Sequence, residues 1–409
     1  MPNATPIEPS RLRASFSQAL SDMYRREVPL YGTLLELVAG SNRLVSGDHD
    51  GRLEVERHGA IRVGTAAELA GIRRLFAVMG MQPVGYYDLA TAGVPVHSTA
   101  FRPVEAAALA ISPFRVFTSL LRLELIGDPE LRAEAAAVLE RRRIFTSRLL
   151  ELVALAEQEG GLPEPLAPEF VAEALQTFRW HETAPVDAGL YDRLKAAHPL
   201  VADVVCFRGP HINHLTPRTL DIDAVQAAMA ARGMNPKAVI EGPPRRAVPI
   251  LLRQTSFHAL NEPVRFAAGA GPASGETTGT HTARFGEVEQ RGAALTAKGR
   301  ALYDRLLSQL QSETADGADR TEAASRIFAE FPDTARELRE HGLAFFHPGS
   351  DEPLLYEDFL PVSAAGIFRS NLGPNGAAGT LAVSSRADFE AALGTAPLDE
   401  MALYEAAAA

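Results

Sequence analysis

The sequence predicts an α+β fold in which a βαβββ unit occurs twice and builds a cupped β-sheet, with a helical insertion and added helices. Three observations predict it. Two helices end alike, as Phe76-Ala77-Val78-Met79-Gly80-Met81-Gln82-Pro83 and as Met229-Ala230-Ala231-Arg232-Gly233-Met234-Asn235-Pro236. Glycine just past a helix takes a left-handed cap, and the proline after it blocks continuation. Each unit also carries a histidine in the strand before its helix and strands after it. Gly-Met-x-Pro alone is ordinary helix-end punctuation, so the matching histidines are what favour a true duplication.

The elements follow in order. Residues 11–45 show helical periodicity through Leu20, Met23, Tyr24, Leu30, Leu34, Leu35 and Val38. The first unit spans 52–102: a strand at 52–64, then a helix from Thr65, an N-cap with Glu68 three residues on, then strands at 84–89 and 94–101. Residues 103–196 read as the helical insertion, broken by Pro163, Pro165 and Pro168. The second unit spans 201–292. It has strand character at 201–215, a helix over 221–232, strands near 238–241, 249–260 and 283–290, and a Gly/Ser/Thr-rich loop at 269–282. Residues 293–409 add helices near 295–312 and 320–341 and a strand-rich part at 344–368 that completes the site. The whole, 1–409, is read as a single catalytic unit.

Composition narrows the function. With 46% hydrophobic and 22% charged residues the chain is not a disordered one. A formal charge of -11 makes it a poor general binder of nucleic acid or anionic membrane, though a local basic pocket for a small anion is compatible with it. The single cysteine, Cys206, excludes a disulfide framework and any all-thiolate metal site. No run reaches the roughly 18 uncharged apolar residues of a membrane span, and the N-terminus lacks a signal-peptide pattern. A soluble cytoplasmic protein is expected.

Three segments carry chemistry. His58 lies in the opening strand of the first unit, where alternation points His58, Ala60 and Arg62 the same way. A cation beside a metal ligand is costly unless an anion sits between them, so the two together say more than either alone; a strand histidine beside a solvent-facing arginine is the plain alternative. The two lie roughly 13 Å apart along a strand at about 3.3 Å per residue, a gap that fits a diacid without choosing between five and six carbons. The second segment, Phe207-Arg208-Gly209-Pro210-His211-Ile212-Asn213-His214-Leu215-Thr216-Pro217-Arg218, opens the second unit. His211 and His214 are three apart, so in a strand only one reaches a shared interior; His214, nearer the helix, is favoured over His211. The third, Arg284-Phe285-Gly286-Glu287-Val288-Glu289-Gln290-Arg291-Gly292, puts Glu287 and Glu289 on one face. An interior carboxylate needs a cation, while a solvated edge strand is the plain alternative. Two histidines and one carboxylate from separate strands form the facial triad of non-haem iron(II) oxygenases. There is no His-Glu-x-x-His run and no phosphate loop.

At these residues the sequence resembles the 2-oxoadipate dioxygenase/decarboxylase family, also called hydroxyglutarate synthase. The motifs are His58-Gly59-Ala60-Ile61-Arg62, Ile212 to Arg218 and Arg284 to Gly292. The resemblance implies a fold related to the vicinal oxygen chelate superfamily. It also implies an Fe(II) enzyme that converts 2-oxoadipate and O2 to 2-hydroxyglutarate and CO2 in lysine catabolism. Its iron ligands would be His58, His214 and one glutamate of the Glu287-Val288-Glu289 strand. A register similar to that of 4-hydroxyphenylpyruvate dioxygenase, with the ligand three residues before a Gln-Arg pair, selects Glu287. Arg62 would bind the distal carboxylate, and the stretch Leu360-Pro361-Val362-Ser363 suggests Val362 and Ser363 as substrate contacts. The competing expectations are another metalloenzyme of this architecture acting on a different 2-oxo acid or a catechol, and a non-enzymatic protein that binds a small anion.

Overall fold

The structure, a computed structural model, describes residues 5–46, 51–257, 261–268, 277–282, 284–315, 319–360 and 385–409. Its first half carries β1 (Arg57–Val63), β2 (Gln82–Asp88), β3 (Val96–Arg102) and β4 (Phe114–Leu121). After the short β5 (Thr183–Ala184) come β6 (Leu215–Pro217), β7 (Leu252–Ser256), β8 (Asn261–Phe266), β9 (Thr277–Thr282) and β10 (Glu287–Arg291).

The main sheet runs β2-β3-β4-β1-β6. Within it β1 is parallel to β4 and antiparallel to β6. Beyond β6, a parallel bridge from Arg218 to Glu289 brings in β10, which pairs antiparallel with β7. Residues Pro236 and Glu241 then bridge the far side of β7 and its end, antiparallel. The second half thus repeats the first in mirrored order: β6, β10, β7 and the 236–241 bridges stand where β1, β4, β3 and β2 do. The units meet along the β1–β6 seam. The β8–β9 hairpin, joined to β5, is an addition between β7 and β10.

Alternation along the strands separates two cores. Ile61, Val63, Phe114, Val116 and Leu120 face outward and pack on the helices Pro9–Glu27, Ala66–Val78, Ser147–Glu159 and Ala167–Phe178. Ala60, Phe117 and Leu121 face into the cup with Tyr87, Val96, Cys206, Phe359 and Leu360. The expected N-cap forms: the Thr65 hydroxyl accepts from the Glu68 N–H at 3.2 Å, and the Glu68 carboxylate accepts from the Gly64 N–H at 2.8 Å. Past the paired helices, Gly80 and Gly233 both take left-handed φ, +67° and +77°.

Several expectations are corrected. The segment 201–215 is not a strand: a helix, Pro199–Val205, fills its start, and only Leu215–Pro217 is strand. The β-branched run there is buried, so packing overrides its propensity. The insertion at 103–196 is not wholly helical, because it contains β4, the fourth strand of the first unit. All eight residues of β4 are buried, and a run buried on both faces carries no alternation by which to tell strand from helix. The first unit therefore extends past 102. Residues Gly51–Val55 are helical, the N-terminal helix divides at Pro29, and the 269–282 loop ends in β9. The described part of 344–368 holds bridges, not strands. No helix among the described residues is long and apolar enough to cross a membrane.

Candidate metal centre

The seam between the units positions the site. On β1, His58 stands opposite Thr216 of β6, and Gly59 opposite Leu215. His214 lies two residues before Thr216, and the Asn213 N–H donates to the Ala60 carbonyl at 3.1 Å. This close crossing needs Gly59: a Cβ there would meet Ile212 Cδ1 at 2.5 Å and the His214 carbonyl at 3.1 Å. On the other side of β6, the Thr219 N–H donates to the Glu289 carbonyl at 2.7 Å, which sets the register of β10.

These contacts gather His58, His214 and Glu287, each buried, with one ligand atom from each within 4.8 Å of the others. His58 Nε2 is 3.1 Å from Glu287 Oε1, and His214 Nε2 is 3.6 Å from the same oxygen. The two imidazoles stand edge to face, 5.4 Å apart. Glu287 Oε1 also accepts from the Thr216 hydroxyl and the Gln254 amide, both at 2.9 Å. Among the described residues Glu287 Oε2 and both ring nitrogens of His214 have no hydrogen-bond partner. Buried polar atoms left so are costly, and a divalent cation would satisfy Glu287 Oε2 and one of the two His214 nitrogens. Two imidazoles and one carboxylate are the donor set that suits Fe(II) and leaves positions open.

Glu289 does different work. Its Oε2 lies 2.8 Å from His58 Nδ1, and both its oxygens accept from Arg291, at 2.8 and 2.9 Å. Arg291 in turn donates to the Tyr356 and Asp358 carbonyls. The charge of Glu289 is thereby taken up, and an ion in the centre meets one uncompensated carboxylate, Glu287. With Nδ1 of His58 facing Glu289 and Nε2 facing the cluster, the groups stand in the order of a carboxylate–histidine–metal arrangement.

The two histidines are shifted in opposite directions. Burial disfavours protonation of His58, but Glu289 and Glu287 outweigh it and raise its pKa. His214 is pushed down to about 4, first by burial and then by His58 and Arg62, so it is neutral and able to ligate. Burial would raise Glu287, yet the two histidines and Thr216 hold it below its ordinary value.

The other expected residues fall in different places. His211 does not join the cluster; its Nε2 lies 3.3 Å from Asp203 Oδ1. Neither it nor His214 is in a strand, so the reasoning that separated them by strand alternation does not apply. Arg62 sits on the same face of β1 as His58, beside Ser119 of β4, and its Nη1 donates to Asp203 Oδ2 at 2.7 Å. Val362 and Ser363 lie outside the described residues. Sequence reasoning missed Thr216, Gln254, Arg291, Asp203 and Phe359, whose ring meets His58 edge to face at 5.0 Å and packs on Phe117. Of these, Arg291 had a signal: alternation along β10 sets it on the face of Glu287 and Glu289.

Residues 16–371 match the family model of 2-oxoadipate dioxygenase/decarboxylase. A 2-oxoadipate dioxygenase/decarboxylase of Pseudomonas putida is 54% identical over 451 aligned residues, covering 99% of this chain and 96% of that protein. The crystal structure of the hydroxyglutarate synthase in complex with 2-oxoadipate from Pseudomonas putida superposes with a TM-score of 0.87 at 52% identity, over 99% of this chain and 97% of that one. A protein assigned to the glyoxalase superfamily from Ralstonia eutropha gives a TM-score of 0.54 at 18% identity, over 71% of this chain and 88% of its own, a likeness of fold alone.

Proposed function

The chain belongs to the 2-oxoadipate dioxygenase/decarboxylase family, and on that premise we propose that it is a cytoplasmic enzyme of lysine breakdown that converts 2-oxoadipate and O2 to 2-hydroxyglutarate and CO2. The observation that carries the reading is the buried cluster of His58, His214 and Glu287, with its partnerless ligand atoms. These three would hold Fe(II), which when bound supplies chelation of the 2-oxo acid end and activation of O2.

The protein's own residues orient and enclose. Glu289, itself held by Arg291, would keep the ring of His58 turned so that its Nε2 faces the centre. Thr216 and Gln254 hold one oxygen of Glu287 and leave the other for the ion. Arg62 would take the distal carboxylate, since guanidinium keeps its charge when desolvated and pairs with carboxylate as a fork. Phe117 and Phe359 line the cup beside His58 and keep water from the reacting end.

Anaerobic loading with Fe(II), then addition of 2-oxoadipate and O2, tests the proposal. Stoichiometric iron and one 2-hydroxyglutarate per O2 consumed are expected. Iron uptake without product, or turnover of catechols in preference to 2-oxo acids, would sink it.

A further inference from the structure

Arg62 is not left to find a carboxylate unaided. Asp203, buried near the end of the helix Pro199–Val205, takes its Nη1 at 2.7 Å. The same carboxylate meets His281 Nε2 at 2.9 Å and His211 Nε2 at 3.3 Å. His281 is itself held, with its Nδ1 2.9 Å from the Tyr191 hydroxyl. Trp180 stands edge-on to His211 at 4.8 Å and stacks with His281 at 6.0 Å. One buried carboxylate is therefore clamped by an arginine and two imidazoles from separate elements. His281 belongs to β9, in the hairpin that the duplicated units do not account for.

We propose that Asp203 is a positioning residue that holds Arg62 at a fixed distance from the metal centre and so sets the length of diacid the enzyme accepts. The inference rests on the reading of Arg62 given above. An untethered arginine is long and rotamer-rich; it could swing to meet five-, six- or seven-carbon diacids at similar cost. A tethered one has lost that freedom before substrate arrives, which strengthens binding at one reach and weakens it at others. Sharing the Asp203 charge among two imidazoles and Arg62 leaves the guanidinium directed without cancelling its attraction for substrate.

The test is steady-state O2 consumption by iron-loaded Asp203→Asn with 2-oxoadipate, the shorter 2-oxoglutarate and the monocarboxylate 2-oxohexanoate. Loss of a charge-assisted tether should raise KM for 2-oxoadipate on the order of tenfold. It should also narrow the preference over 2-oxoglutarate, with iron content, kcat and kcat/KM for 2-oxohexanoate little changed. Equal proportional losses on all three substrates, as a general structural role would give, overturn the proposal; so does an unchanged preference. Should Asp203→Asn not fold, His281→Gln carries the test, with a smaller rise in KM in the same direction expected and no rise overturning it. Arg62→Ala run in parallel separates the two layers. If it spares 2-oxohexanoate while Asp203→Asn changes nothing, this inference alone falls. If it costs all substrates alike, the reading of Arg62 falls.

Discussion

Replacing Glu289 with Gln tests which strand carboxylate would hold the metal and which would orient its histidine ligand. Both strand carboxylates are buried and both touch His58, through Nε2 for Glu287 and Nδ1 for Glu289. Only Glu287 keeps an oxygen without a partner among the described residues, whereas both oxygens of Glu289 are taken by Arg291 and one also by His58. Glu289→Gln keeps the shape and an acceptor for His58 Nδ1–H but removes the charge. Loss of such an outer partner costs roughly 10–100-fold in metal affinity, or about 1.4–2.7 kcal/mol. Arg291 retains its bonds to the Tyr356 and Asp358 carbonyls at 3.0 and 2.9 Å. The stability cost is then about 1–3 kcal/mol, that of one weakened charged hydrogen-bond set. Glu287→Gln removes the anionic donor itself and should abolish stoichiometric iron. Anaerobic calorimetry with Fe(II), with Co(II) as an air-stable check, reads both variants. Iron held by Glu287→Gln and lost by Glu289→Gln would refute the assignment and exchange the two roles.

The same titration applied to the histidines should find no iron in His58→Ala or His214→Ala, and near-normal iron in His211→Ala, whose ring contacts Asp203 instead. Arg62→Ala should keep its iron but lose kcat/KM for 2-oxoadipate on the order of a hundredfold, with Arg62→Lys recovering only part because an ammonium cannot form the fork. Glu400 offers a prediction away from the centre: burial and the neighbouring Asp358 push its pKa up to about 7. The folded protein then binds the proton more tightly than the unfolded chain, so this group's contribution to stability is present at acid pH and lost as pH rises through about 7. Glu400→Gln should raise Tm at pH 8 and give little gain at pH 5; thermal melts at both values decide it.

Alternation in the sequence set His58 on the face of Arg62 and put Glu287 and Glu289 on one face of their strand, but it could not choose between the two acids; only the register implied by the family resemblance named Glu287. His214 was harder. The chain around it is irregular up to Leu215, and no periodicity can rank it against His211. What separates them is tertiary: Asp203, reached through a helix that the sequence disguised as strand, claims His211. Gln254, Phe359 and Asp203 are likewise ordinary residues in their own neighbourhoods, and only packing gives them a task. β4 was invisible for the opposite cause, being buried on both faces.

The duplication bears on the site more directly than either unit does. His58 comes from the first unit, and His214 and Glu287 from the second, so neither half carries a complete donor set. They meet only because β1 and β6 lie antiparallel at the seam and β10 is registered on β6 through Thr219. That seam is short, three residue pairs, and Gly59 is where it is tightest. A metal ion bridging His58 to the other two would therefore cross-link the two halves at the place where backbone pairing is sparse. Because an ion that binds only the assembled site stabilises it by mass action, iron loading should resist separation of the halves as well as supply the chemistry. The proposed centre would thus give a cupped sheet made by repeating one unit both a reactive interior and a clamp from the same three side chains.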